Sequence, residues 1–245
     1  MRLARCVVVI SLFLPVAAAA QSSERILTPL EMQVACGPPT SLDLPAEPLR
    51  VIGSQDPENR FVFGTSDLLV VDGGTDRGVQ LGQQYVIRRS MVAGADRKNV
   101  AAIQTDGWLS IVAVNEKTAI AKVDHFCDAI TAGDYLEPFT APQFPAGMDR
   151  DNPAGELDFS KLGRIIMGPN NMNSGAAGGL MLIDPGTPVQ PGSRFAVYRD
   201  PHVNGMPLAS VGEGVVLSVG AKIALTKITR SRDAIVTGDY VVPRK

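Results

Sequence analysis

The side chains best suited to covalent or metal chemistry in this sequence are three cysteines and two histidines. Cys6 lies just before an apolar run in an N-terminal segment that we expect to be removed on export, which leaves Cys36 and Cys127 to react with each other. In an oxidising compartment such a pair most simply forms a disulfide, which here would stabilise the fold by roughly 3–5 kcal/mol. His125 and His202 lack zinc-ligand spacing relative to the cysteines. The sequence therefore predicts a Cys36–Cys127 disulfide, with two buried free thiols as the alternative, and predicts no metal site.

None of the common catalytic motifs occurs in the sequence, which has no Gly-x-Ser-x-Gly element, no His-Glu-x-x-His pair and no P-loop. The glycine-rich run at residues 175–179 could bind an anion, but no Gly-Lys-Ser/Thr follows it, so a hairpin loop is the better interpretation. Asp134 and Asp239 could suggest a carboxylate pair, but their Gly-Asp-Tyr context favours turn formation. We therefore expect no catalytic residue and no cofactor. The alternative is a periplasmic hydrolase whose site lies between two modules and uses His125 or His202.

The N-terminal segment has the three parts of a secretory signal. Arg2 and Arg5 precede an apolar run at residues 7–16, and small residues follow at 18–20. The run is too short to cross a bilayer, which takes about 20 apolar residues. The sequence therefore predicts a signal peptide at residues 1–20, cleaved between Ala20 and Gln21. We expect a periplasmic or secreted protein with no transmembrane segment in the mature chain.

The charge of the mature chain argues against a polyanionic partner. Without residues 1–20 it has 21 basic and 25 acidic residues, a formal charge of 21 − 25 = −4, and its basic residues form no cluster. Nucleic-acid binding needs a basic surface, and anionic lipid attracts one. The sequence therefore predicts no nucleic-acid partner.

Segments rich in Pro and Gly divide the mature chain into four parts. The run Thr28-Pro29-Leu30-Glu31 is a capping box with Pro at the first helical position, and Gly37 ends the helix, which we place at residues 29–36. The helix and a Pro-rich stretch make up residues 21–58. Two β-rich modules follow at residues 59–139 and 161–245, joined by a Pro- and Gly-rich linker at residues 140–160.

The two modules are copies of one another. The run Asp-Ala-Ile-Thr-Ala-Gly-Asp-Tyr-Leu-Glu-Pro at residues 128–138 and its counterpart at 233–243 are identical at seven of eleven positions. Upstream, residues 82–89 (GQQYVIRR) resemble residues 192–199 (GSRFAVYR). Several matched blocks indicate a duplication. Because each copy has short strands with turn signals every 8–12 residues, we predict a mainly β fold of two tandem small antiparallel β-barrels or sandwiches with one short N-terminal helix.

These blocks resemble the small β-barrel module at the C-terminus of flagellar H-ring-type accessory proteins, which also follows LysM domains in exported peptidoglycan-binding proteins. The shared pattern is an acidic-Gly turn, then Gly-x-x-aromatic-x-Val/Ile-x-Arg, and a terminal Gly-Asp-aromatic-x-x-Pro. The resemblance implies an envelope-associated, non-catalytic role. The terminal turns consist of Gly133, Asp134, Tyr135, Gly238, Asp239 and Tyr240.

The two copies differ most at residues 90–100 and 200–210, between their matched blocks. Loops on a rigid scaffold commonly carry function, and apolar residues beside polar ones suit a contact surface. Ordinary loop variability is the alternative interpretation. We expect the chain to bind or scaffold an envelope protein or a cell-wall component through Met91, Val92, Arg97, Lys98, His202, Val203 and Met206.

Overall fold

A computed structural model describes residues 26–56, 60–93 and 99–245, with only the backbone of residues 92, 93 and 99–101. The predicted signal peptide at residues 1–20 and the contact residues Arg97 and Lys98 lie outside the described residues. The fold is mainly β, with two closed antiparallel six-stranded barrels and one short α-helix, as predicted. No helix in the described part of the chain is long and apolar enough to cross a membrane.

The N-terminal helix α1 spans Pro29–Ala35 and begins as its sequence predicts. The Thr28 hydroxyl accepts a hydrogen bond from the Glu31 amide, and the Glu31 carboxylate accepts one from the Thr28 amide. This capping box satisfies two amides that a helix N-terminus otherwise leaves unpaired. Cys36 is the C-cap residue, so the helix presents a cysteine at its end.

The first barrel closes in the order β1-β2-β5-β4-β3-β6. Its core is a cluster of buried aliphatic side chains that includes Leu69, Ile87, Leu109 and Val123. Its strands are β1 (Leu49–Ser54), β2 (Leu68–Val71), β3 (Gln84–Ala93), β4 (Asn99–Val114), β5 (Ala119–Phe126) and β6 (Tyr135–Pro138).

The second barrel closes in the order β7-β9-β12-β11-β10-β14, which is the same topology. A pair of two-residue strands, β8 (Ser174–Gly175) and β13 (Ile235–Val236), forms a separate small sheet. The barrel strands are β7 (Gly163–Met167), β9 (Leu180–Asp184), β10 (Arg194–Arg199), β11 (Ala209–Val219), β12 (Ala224–Ser231) and β14 (Tyr240–Pro243).

Strand register confirms that the barrels are copies. Tyr85 pairs with Pro138 in the first barrel, and Phe195 pairs with Pro243 in the second. Because a register slip of one residue would turn every side chain to the other face, matching pairs identify equivalent positions. Tyr85 therefore corresponds to Phe195, and the same pairing equates the tyrosines of the two Gly-Asp-Tyr turns.

The start of the first barrel and the extent of its variable segment differ from the predicted ones. The first barrel begins with β1 at Leu49, before residue 59, because Arg50 pairs with Tyr135 just as Arg164 pairs with Tyr240 in the second barrel. The segment at residues 90–100 is not wholly a loop, since β3 runs to Ala93 and β4 starts at Asn99. Its counterpart at residues 200–208 lies outside the strands.

The predicted linker at residues 140–160 is packed against the second barrel. Phe144 and Met148 lie on an outer apolar cluster of that barrel. The Arg194 side chain donates a hydrogen bond to the Met148 carbonyl oxygen at 2.9 Å, and the Lys227 ammonium lies 2.7 Å from an Asp149 carboxylate oxygen. These contacts hold the segment against the barrel, so it does not behave as a free linker.

Candidate functional site

Each barrel contains an arginine–aspartate pair at its Gly-Asp-Tyr turn, in which a partly exposed arginine meets a buried aspartate. In the first barrel the Arg89 guanidinium donates from Nε to Asp134 Oδ1 at 2.8 Å and from Nη2 to Oδ2 at 2.7 Å. In the second, Arg199 donates to the two Asp239 oxygens at 2.8 Å each. The two aspartate side chains are only 3% and 2% exposed. Hydrogen bonding to the carboxylate raises the pKa of each arginine above its usual value.

The same aspartates also close the turns predicted from sequence. Asp134 Oδ2 accepts a hydrogen bond from the Thr131 amide at 2.7 Å, and Asp239 Oδ2 accepts one from the Val236 amide at 2.8 Å. The preceding glycines have φ angles of 98° and 91°, in the region that favours glycine. The buried aspartate therefore has two roles, as a turn residue and as the anion of the arginine–aspartate pair. Sequence reasoning missed the second role, although the arginine ends the Gly-x-x-aromatic-x-Val/Ile-x-Arg block in both copies.

The pairs fix the end of each barrel where the variable segments begin. Tyr135 lies beside Arg88 on β3, and Tyr240 lies beside Tyr198 on β10, so each Gly-Asp-Tyr turn sits where the third strand of its barrel leads into the variable segment. In the second barrel Arg199 is the last strand residue before that segment. A bidentate arginine–carboxylate pair has a defined geometry, so it holds the base of this segment in one position.

The first barrel has one additional buried acid at this end. Asp106 occupies a β-bulge in β4, and the equivalent residue in the second barrel is Val211. The Asp106 side chain is fully buried. Its Oδ2 lies 3.1 Å from Arg89 Nη2, and its Oδ1 accepts a hydrogen bond from the side-chain nitrogen Nε2 of Gln104 at 2.7 Å. Burial, together with repulsion from Asp134, raises the pKa of Asp106 to about 7, although Arg89 opposes the shift. Arg89 therefore lies within ion-pair distance of two buried carboxyl groups, whereas Arg199 has one buried carboxylate partner.

The two tyrosines of the turns have different surroundings. The Tyr135 hydroxyl is buried without a hydrogen-bond partner in the described part of the chain, and burial raises its pKa to about 12. The Tyr240 ring instead lies under the Arg164 guanidinium, 3.5 Å from its centroid. Arg164 also donates to the Gly238 carbonyl oxygen at 2.9 Å, as Arg50 does to Gly133 at 2.8 Å. These arginines give each turn a second anchor on the first strand of its barrel.

The predicted disulfide is present and attaches the helix to the first barrel. Cys36 and Cys127 are bonded, with their Cα atoms 5.5 Å apart. The His125 ring stacks on Trp108 with 4.5 Å between ring centroids, on the strand that leads to Cys127. The helix also contacts the second barrel, because Leu30 and Val34 of α1 pack on the outer apolar cluster of that barrel. The helix and disulfide together connect the two barrels.

The predicted contact residues fall into separate groups. Met91 and Val92 lie on β3, within the hairpin with β4. His202, Val203 and Met206 lie together on the loop at residues 200–208, and their side chains are exposed. The His202 Nδ1 lies 3.5 Å from an Asp200 carboxylate oxygen, while His125 lies against Trp108 and the disulfide. The structure therefore does not bring His125 and His202, the two candidate acid–base groups, into one site.

Comparison with known proteins does not assign this arrangement to a family. No protein-family model matches the chain, and no curated protein matches it significantly in sequence. The resemblance to the small barrel of H-ring and LysM-associated proteins thus stays a prediction.

Proposed function

We propose that this chain is a non-catalytic, exported protein of the cell envelope that binds another envelope protein through the loop at residues 200–208. The export half of the proposal rests on the signal-peptide pattern at residues 1–20 and agrees with the disulfide, since such bonds persist in oxidising compartments. The binding half rests on one observation, an ordered loop that exposes apolar side chains above a rigid barrel end.

The loop has a defined turn structure. The Asp200 carboxylate accepts a hydrogen bond from the His202 amide at 2.7 Å, and the Met206 amide donates to the Val203 carbonyl oxygen at 3.0 Å. His202 has φ 56°, a left-handed conformation that is uncommon for residues other than glycine. Ordering such a loop in advance reduces the entropy that binding would otherwise cost.

The exposed side chains of the loop favour a protein partner. Val203 is 55% exposed and Met206 is 58% exposed, and methionine adapts well to irregular apolar surfaces. Near the base of the loop, Phe159 is half-exposed and packs edge-on against Tyr198 with 5.1 Å between ring centroids. Aromatic residues and methionine are enriched at protein interfaces. A polysaccharide partner would instead be expected to meet more polar groups at the tip.

Affinity purification from envelope extracts tests the binding proposal. The Val203→Ser/Met206→Ser variant should recover a specific partner at a level reduced at least about tenfold, since each lost apolar anchor is worth roughly 1 kcal/mol or more. Val219→Ser is the matched control, because Val219 is 41% exposed at the opposite end of β11. Equal recovery by all three proteins would contradict the proposal, as would specific binding to purified peptidoglycan that the double substitution leaves unchanged.

The export proposal has its own measurement. Intact-mass analysis of the protein recovered from the envelope should give a chain that begins at Gln21. A chain that retains residues 1–20 and stays with the cytoplasmic fraction would contradict export without bearing on the loop.

A further inference from the structure

Three potential metal ligands converge at the junction between α1 and the first barrel. The sulfur atoms of Cys36 and Cys127 and a ring nitrogen of His125 all lie within 4.8 Å of one another. We propose that reduction of the disulfide converts this junction into a site for one thiophilic metal ion of the Zn²⁺ type, held by Cys36, His125 and Cys127. In this structure the two sulfurs are bonded to each other, so the proposed site belongs to the reduced protein.

Reduction by a dithiol supplies the ligands. A thiolate of the dithiol attacks one sulfur of the disulfide, the Cys36–Cys127 bond breaks, and the second thiol of the reagent closes its own disulfide. The dithiol loses two electrons and two protons, which the protein gains as two thiols. A Zn²⁺ ion then displaces both protons and bonds to two thiolates and a neutral imidazole. Two thiolate charges balance the charge of the ion.

The two cysteines are held near each other by contacts that do not need the disulfide. The Thr105 hydroxyl on β4 donates to the Gly37 carbonyl oxygen at 2.7 Å, which fixes the chain just after Cys36. The Cys127 amide donates to the Asp106 carbonyl oxygen at 2.9 Å. On the other face of α1, Gln33 donates to the Gly178 carbonyl oxygen at 2.7 Å. Opening the disulfide therefore leaves both thiols facing each other across a short gap.

The imidazole is oriented by aromatic rings. His125 stacks on Trp108, and Trp108 stacks in turn on Phe139 with 5.0 Å between centroids. Ligands whose orientation is fixed by neighbouring groups bind metals more tightly than free ones. The three ligand residues are each half-buried. Cys36 also lines a surface cavity of about 180 Å³ between the end of α1 and the second barrel, so one side of this cysteine is open to solvent.

The second barrel lacks this arrangement, although it has the same fold. Strand pairing places Arg230 at the position of His125 and Glu213 at the position of Trp108. These two residues form an ion pair at 3.5 Å, and Arg232 stands where the first barrel has Cys127. The duplicated fold therefore does not require ligands here, and the expected stoichiometry is one ion per chain.

Cobalt binding provides the test. The full chain carrying Cys6→Ser is reduced with a dithiol, separated from the reagent without oxygen, and titrated with Co²⁺ alone. The reduced protein should bind one Co²⁺ and develop an intense thiolate-to-cobalt absorption band, which added Zn²⁺ abolishes. His125→Ala should weaken binding at least about tenfold, in line with the effect of losing even a supporting group of a metal site. His202→Ala is the matched control and should bind as the parent does, since His202 is the other histidine of the chain.

Near-UV circular dichroism of Trp108, the single tryptophan, reports whether the reduced chain keeps its fold. The proposal requires the signal to persist after reduction, because the contacts named above hold the junction. Loss of that signal at 25 °C would overturn the proposal. So would a folded, reduced chain that shows no thiolate-to-cobalt band, or equal Co²⁺ affinities for His125→Ala and His202→Ala. The oxidised protein should bind no cobalt through sulfur.

Discussion

The buried acid Asp106 makes the stability of the first barrel depend on pH. Its pKa rises from 3.8 to about 7 in the folded chain, chiefly because the side chain is buried. One pKa unit corresponds to about 1.4 kcal/mol, so the shift corresponds to a penalty on the order of 4 kcal/mol for the charged form in the folded state. Asp106→Asn keeps the shape of the side chain and removes the charge.

The sign of the effect follows from proton binding. Between pH 4 and pH 7 the folded state holds a proton on Asp106 that the unfolded state has lost, so stability falls as the pH rises through this window. Only below pH 3.8 are both states mostly protonated, so the free energies of unfolding of the parent and Asp106→Asn should converge towards that pH and differ little at pH 4. At pH 8 the Asn variant should be more stable by roughly 2–4 kcal/mol, since it avoids burying a charge.

Urea denaturation of both proteins at pH values from 4 to 8 measures this difference. Glu116→Gln, which removes a charge from an exposed turn, is the control and should change stability by a small, nearly constant amount. A difference between the parent and Asp106→Asn that does not grow with pH would refute the reasoning, as would an Asn variant less stable than the parent at pH 8. The apolar Val211 at the equivalent position already shows that this bulge does not need a carboxylate.

Four further outcomes follow from the same structure and can be measured by denaturation. Arg199→Met should lower the free energy of unfolding by about 3–5 kcal/mol because it leaves a buried carboxylate unpaired, and Arg89→Met should lower it more at pH 8 than at pH 5 because it leaves two. Gly238→Ala should cost about 1–2 kcal/mol through its φ of 91° alone, since no heavy atom of a residue beyond its two chain neighbours lies within 4 Å of the added carbon in the described part of the chain. Reduction of the disulfide, whose cysteines are 91 residues apart, should cost about 4 kcal/mol; stabilities that do not change would contradict each expectation.

Local patterns account for what could be predicted from sequence. The capping box, the Gly-Asp-Tyr turns and the matched blocks are short-range signals, and each predicted its element. The disulfide followed from the expected compartment and from the cysteine count. The duplication strengthened the prediction of the fold class because both copies carry the same turn and strand pattern.

Long-range partners account for what could not be predicted. The arginine of each arginine–aspartate pair is 45 or 40 residues from its aspartate, so nothing in the local sequence joins them. Strand β1 matches its counterpart β7 only in an arginine and the two apolar residues that follow it, too little to extend the repeat back to Leu49. The segment at residues 140–160 looked like a linker because its Pro and Gly residues outweighed Phe144 and Met148, two of the side chains that anchor it.

Site-specific photo-cross-linking in intact cells tests the proposed function most directly. A photoreactive residue at position 203 should form a covalent adduct with one envelope protein, and the same residue at position 219, at the opposite end of β11, should not. The adduct at position 203 should also disappear when Met206 is replaced by Ser. No adduct at position 203, or the same adducts at both positions, would contradict the account of this loop as the binding surface.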